Sequence, residues 1–206
     1  MNKFIIPVLL AMMICMGCGR RVDFASHESA QIKVKFTPPV ENVLIKNIET
    51  LQPQLQKDDV VQALMKANQQ RAVLSLKEIM KKDQEWVESP DDSPLIREAL
   101  DRPCSVLLKQ FQQGHAGYDE IFITDRYGMN VCQTNRTSDW YQADEAWWTE
   151  SYAKGTGKPA YGRIEFDESA LSESIPLYIP VHQPSTGEII GVAKAVVSLE
   201  KIRQEL

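Results

Sequence analysis

The stretch Ile175-Pro176-Leu177-Tyr178-Ile179-Pro180-Val181-His182 places an aliphatic side chain at every second position. Such alternation marks a strand, because successive side chains leave opposite faces of a sheet. Ile175, Leu177, Ile179 and Val181 therefore share an apolar face, and Pro176, Tyr178, Pro180 and His182 make a mixed one. The turn Pro184-Ser185-Thr186-Gly187 returns the chain as a further strand from Glu188 to Leu199. Upstream, Glu120 to Thr124 is rich in β-forming residues, Asp125 to Gly128 reads as a turn, and Met129 to Thr134 as the second arm of a hairpin. Tyr161 to Phe166 supplies the remaining strand, so five antiparallel strands are expected.

Before Tyr118 the period changes. Thr37-Pro38-Pro39 punctuates a helix start, and Val40, Leu44, Ile48, Leu51 and Leu55 form one apolar face. Pro53 and Asp58-Asp59 mark a break or kink and a new start. Val61, Leu64, Met65, Ala72, Leu76 and Ile79 then carry an amphipathic pattern towards Trp86. Ser93-Pro94 and Asp101 to Pro103 offer further starts, with Gly114 and Gly117 as stops. Helices followed by strands predict an α+β domain over residues 37–206, helical over 37–116 and sheet over 117–206. A short helix from about Asp144 to Ala153, inserted between strands two and three, would roof the second sheet face and enclose a small pocket there.

At the N-terminus one charge, Lys3, precedes an apolar run from Phe4 to Met16. The run is too short to span a bilayer comfortably and reads as an export signal over residues 1–17. No other apolar run approaches the roughly 20 residues of a span. Cys15-Met16-Gly17-Cys18 resembles the lipobox of bacterial lipoproteins, which implies lipidation of Cys18, with residues 18–36 as a polar tether. The expected location is therefore exported and lipid-anchored, facing the periplasm or the cell exterior.

Across 206 residues, a 43% hydrophobic and 25% charged composition argues for a folded chain. A net charge of -5 without a basic stripe argues against nucleic acid as a partner. Cys104 and Cys132 are either one disulfide or two buried thiols in an oxidising compartment. Neither has Cys or His at ligand spacing, so no metal and no cofactor is expected. His27, His115 and His182 are dispersed, and no Gly-x-Ser-x-Gly or His-Glu-x-x-His occurs, so no enzyme is expected.

Residues 137 to 148 hold three of the four Trp: Thr137-Ser138-Asp139-Trp140-Tyr141-Gln142-Ala143-Asp144-Glu145-Ala146-Trp147-Trp148. Aromatic walls give large contact area at low entropic cost, and neighbouring polar groups can orient a ligand. Read structurally, the same rings fill the core beneath the insertion, and Asp139 or Asp144 caps its helix.

This block, with Phe122-Ile123-Thr124-Asp125, Gly128-Met129-Asn130-Val131, Phe166-Asp167-Glu168-Ser169, Ile179-Pro180-Val181 and Ile190-Gly191-Val192, resembles in its order the extracytoplasmic PDC, or Cache, sensor domains. Asp83-Gln84-Glu85-Trp86 extends the resemblance to roughly Asp58 to Leu206. It implies a PAS-like five-stranded sheet of order 2-1-5-4-3 behind long N-terminal helices. It also implies a small-molecule sensor, with Asp167 at the family's ligand-facing Asp. Glu145 stands where amino-acid-binding members place an Arg, so an amine-bearing or neutral ligand is expected in place of a carboxylate.

The expected ligand-binding residues are Trp140, Tyr141, Asp144, Glu145, Trp147, Tyr161, Asp167 and Tyr178. Leu206 follows soon after the last strand, so the expected signal passes through a partner, a membrane sensor protein. The alternative is a structural or protein-interaction lipoprotein with a vestigial pocket.

Overall fold

The computed structural model describes residues 35–167 and 172–206. The expected export signal over residues 1–17, the expected lipidation at Cys18 and most of the expected tether lie outside the described residues.

Helix α1 (Pro38–Leu55) starts with Pro in its first turn and buries Leu44, Ile48, Leu51 and Leu55 on one face. Pro53 lies inside it, so the break falls after Leu55 and α2 (Asp58–Arg71) begins with its two Asp at the positive end of the helix dipole. The amphipathic pattern that runs on to Trp86 is interrupted. Helix α3 (Leu76–Glu88) starts afresh behind a capping box, in which Glu78 N–H donates to the Ser75 hydroxyl and Ser75 N–H donates to the Glu78 carboxylate. Two otherwise orphaned amides are satisfied at that restart, and Leu76, counted on the apolar face by periodicity, faces solvent. Helices α4 (Pro94–Asp101) and α5 (Pro103–Gly114) each begin with Pro at the first position.

Strands β1 (Tyr118–Asp125) and β2 (Asn130–Gln133) form the hairpin; β3 (Ala160–Tyr161), β4 (Glu165–Asp167), β5 (Ser172–His182) and β6 (Ile189–Ser198) complete an antiparallel sheet. Its order is β2-β1-β6-β5-β3, with β4 also on β5. With β3 and β4 as halves of a third strand, this is the 2-1-5-4-3 order of a PAS-like sheet. The single strand expected from Tyr161 to Phe166 is thus in two pieces, and β5 supplies the reason. Gly162 N–H donates to Pro176 C=O at 2.8 Å, so that residue's outward side faces the third strand, and proline has no N–H to return.

The aliphatic side chains of β5 are buried against α1, α2 and α5 in one apolar core that includes Leu44, Leu51, Leu64 and Leu108. Between Ile123 and Thr124 the β1–β2 register slips by one residue. This bulge turns both Val131 and Cys132 towards the helices, where strict alternation would separate them. Cys132 forms a disulfide with Cys104 of α5, tying the hairpin to the helical layer. Helix α6 (Ala146–Tyr152) covers the opposite sheet face, and α7 (Leu199–Gln204) follows β6.

Candidate functional site

The register of the strands lines up four residues across the face under α6. Gln133 pairs with Phe122, Phe122 with Lys194, and Lys194 with Tyr178. Paired residues project to the same side, so the row reads amide, ring, ammonium, phenol. Trp147 of α6 stands over it, stacked on Tyr178 with ring centroids 5.3 Å apart and edge-on to Phe122 at 5.9 Å. The Lys194 ammonium lies 5.3 Å from the Trp147 centroid and 6.0 Å from that of Phe122. Helix α6 is pinned beside this row: Trp148 Nε1 donates to Thr124 Oγ1 at 2.8 Å, and that hydroxyl donates on to Val192 C=O.

Two buried polar atoms on this face have no partner, Gln133 Nε2 and Asn130 Oδ1. Gln133 is 1% exposed and Asn130 2%. Asn130 spends its Nδ2 on Thr137 Oγ1 and Asp139 C=O. An unsatisfied buried group costs about 1–3 kcal/mol, so a donor and an acceptor left open here are a feature to be explained. Burial, then the charges of Glu165, Glu150 and Glu145, push the Tyr178 phenol well above its ordinary value, with Arg163 opposing. The charges acting on Tyr178 are therefore mainly acidic, while its neighbour in the row is Lys194. Asp139 is also raised, first by burial and then by Asp83 and Asp144, with the Gln142 amide donating to it.

The expected site residues separate into three places. Trp147 and Tyr178 meet on the face just described, with Glu145 and Asp144 exposed at the start of α6. Glu145 is the helix N-cap residue, without a side-chain capping bond, so neither Asp139 nor Asp144 caps α6. Trp140 lies on the helical side instead, under Arg71, because Asp83 Oδ1 accepts from both Trp140 N–H and Tyr141 N–H. Tyr141 also bridges Met129 by backbone pairing, and its phenol is raised by burial and by Asp144.

Tyr161 pairs with Leu177 and so shares the face opposite Trp147; its hydroxyl donates to Glu41 of α1 at 2.9 Å. Asp167 pairs by its backbone with Ser172, and its side chain lies outside the described residues. The row members missed from sequence are Lys194, Gln133 and Phe122. Lys194 carried a usable signal, being the one charge within Ile189 to Val197. Among the described residues no group of three or more His, Cys, Asp and Glu is placed to hold a metal, and no helix is long and apolar enough to cross a membrane.

Fold and site together describe an α+β domain with a PAS-like sheet and an aromatic roof over one face. No protein-family model and no curated protein matches the chain. Among solved structures it is similar to the sensor domain of the V. cholerae histidine kinase DctB, at 15% identity and TM-score 0.44, over 81% of this chain and 54% of that one. It is similar to the ligand-binding domain of the Campylobacter jejuni chemoreceptor Tlp3 in complex with 4-methylisoleucine, at 14% identity and TM-score 0.41, over 82% and 64%. The E. coli DcuS sensor domain aligns at 16% identity and TM-score 0.37, over 63% and 95%. The chain thus spans less than two thirds of the length of the first two. At these scores the fold is read from the strand order itself.

Proposed function

We propose that the chain is an extracytoplasmic small-molecule-binding sensor whose ligand lies between the sheet and α6. The observation that carries this reading is the buried, unpartnered Gln133 amide in one row with the Lys194 ammonium beneath Trp147. A ligand oxygen there would accept from both groups. The carboxylates acting on Tyr178, those of Glu165, Glu150 and Glu145, would take a donor or amine at the other end. The ligand class is therefore a small polar metabolite, neutral or amine-bearing, that also carries a carbonyl or carboxylate oxygen.

Anchoring through Cys18 and transfer of occupancy to a membrane sensor protein belong to the same reading. They are supported by the Phe4 to Cys18 pattern and tested by Cys18→Ser, which should release the protein from the membrane fraction. The binding test is a thermal-shift screen against small polar metabolites, because native-state binding raises Tm by mass action. Lys194→Met should weaken the ligand found by about ten- to a hundredfold, the equivalent of one charge-assisted hydrogen bond. Unchanged affinity removes the row from the site. The direct stacking of Trp147 on Tyr178 favours a second reading, a filled pocket in an interaction lipoprotein, which a screen without binders would select.

A further inference from the structure

A second cavity, of about 350 Å3, lies on the helical side of the sheet. Trp140 and Leu95 line its apolar side above the buried Trp86, and Arg71, Arg102 and Lys82 line it together with Glu85 and Glu98. The same two arginines line an adjoining space of about 610 Å3. Trp86 is fixed by donating Nε1 to Thr137 C=O at 2.9 Å, and it anchors an apolar cluster with Ile96 and Ala99 that is separate from the main core. Arg71 lies 4.7 Å over the Trp140 ring.

Both guanidinium groups are held in place by carbonyls of the hairpin. Arg71 donates to Met129 and Asn130 C=O and to Asp125, and Arg102 donates to Val131 C=O at 3.2 Å. Only one of the five Arg102 N–H donors is spent in that bond. Its remaining partner is Glu98, 3.6 Å away with a side chain 76% exposed. Such a surface contact is weak and exchangeable. Burial pulls the Arg71 guanidinium below its ordinary value; Asp125 opposes that, and the neighbouring charge of Arg102 adds to it. A second anion beside the pair would relieve that repulsion.

We infer that this cavity is a second binding site, for a small planar aromatic carboxylate, with its ring against Trp140 and Leu95 and its carboxylate on Arg102 beside Arg71. A volume near the lower end of the usual ligand-pocket range suits a single ring. Guanidinium and carboxylate match in bidentate geometry, so the charged end fixes the orientation that the apolar walls leave open. The site is separated by the sheet from the Lys194 row and does not rest on the function proposed for that row.

The test uses the full-length protein with phenylacetate as the probe and phenylacetamide as its uncharged counterpart, read by calorimetry and tryptophan emission. Phenylacetate should bind saturably, and phenylacetamide at least about tenfold more weakly. Arg102→Gln should weaken phenylacetate by about tenfold or more, while Lys194→Met leaves it unchanged. Should Arg102→Gln lower Tm, Leu95→Trp provides the second variant, filling the cavity without removing an anchor, and it too should abolish binding. The inference is overturned by any of three results: no saturable change up to roughly ten millimolar, wild-type affinity in a folded Arg102→Gln or Leu95→Trp, or loss of binding in Lys194→Met.

Discussion

Arg71 and Asp125 are expected to act as one unit whose disruption destabilises the whole domain. Asp125 is fully buried and Arg71 nearly so, with Nη1 2.8 Å from Oδ2. Asp125 Oδ1 also accepts from the N–H groups of Tyr127 and Met129, so this carboxylate shapes the hairpin turn as well. Arg71→Met leaves the carboxylate buried without its counter-charge and removes a donor from the Asn130 and Met129 carbonyls, of which Met129 C=O keeps the Asp125 N–H. Removing one partner of a buried pair costs about 3–5 kcal/mol. For a domain of this size that corresponds to a fall in Tm of roughly 6–20 °C.

Asp125→Asn keeps the acceptor for the turn but sets an amide against the guanidinium, and should cost a similar amount. The double variant decides the matter. Urea unfolding followed by circular dichroism should show its loss falling short of the summed single losses by about 1–3 kcal/mol. Added salt should change little, because the pair is shielded from the ion atmosphere. Additivity to within about 0.5 kcal/mol would refute the coupling and leave Arg71 acting only through the carbonyls and Trp140.

Gly128 has φ +81°, and a Cβ there would lie 2.4 Å from Ala143 Cβ, so Gly128→Ala should destabilise by at least about 1 kcal/mol, read as a lower urea midpoint at unchanged slope. Reduction of the Cys104–Cys132 bond, with a sequence separation of 28, should cost about 3.5 kcal/mol by the loop-closure relation, measured by unfolding with and without reductant. Tyr118 and Tyr178 are both raised above 10.0, chiefly by burial. Their folded forms hold the proton more tightly than the unfolded chain does. The stability they contribute is present below pH 10.0 and lost as pH rises past it, which alkaline unfolding monitored by phenolate absorbance should show.

The strands and the helical layer were legible because period and punctuation are local properties, whereas the strand order came only with the family resemblance. What was not legible depends on pairing. Whether Pro176 interrupts the sheet depends on which side its missing N–H faces, and only the position of Gly162 fixes that. Tyr161 was expected beside Tyr178, yet its register with Leu177 sends it to α1. Trp140 and Trp147 share one short block, but the two amides held by Asp83 draw Trp140 to the helical side. The capping box at Ser75 and Glu78 is a local signal that outweighs the longer apolar period running through it. Gln133 carried no signal of its own, since a glutamine in a short strand is ordinarily solvated.

The two margins of the sheet are closed by unlike means. Along β2, arginine side chains occupy the Asn130 and Val131 carbonyls, and the Asn130 N–H is spent on Trp140 C=O. Beyond Tyr178, the outward side of β5 reaches Pro180, which has no hydrogen to offer. Neither margin presents an unbroken ladder on which a second copy could extend the sheet. Copies held close together are therefore guarded against growing into a shared fibre, and Pro180→Val would restore a donor at the open margin.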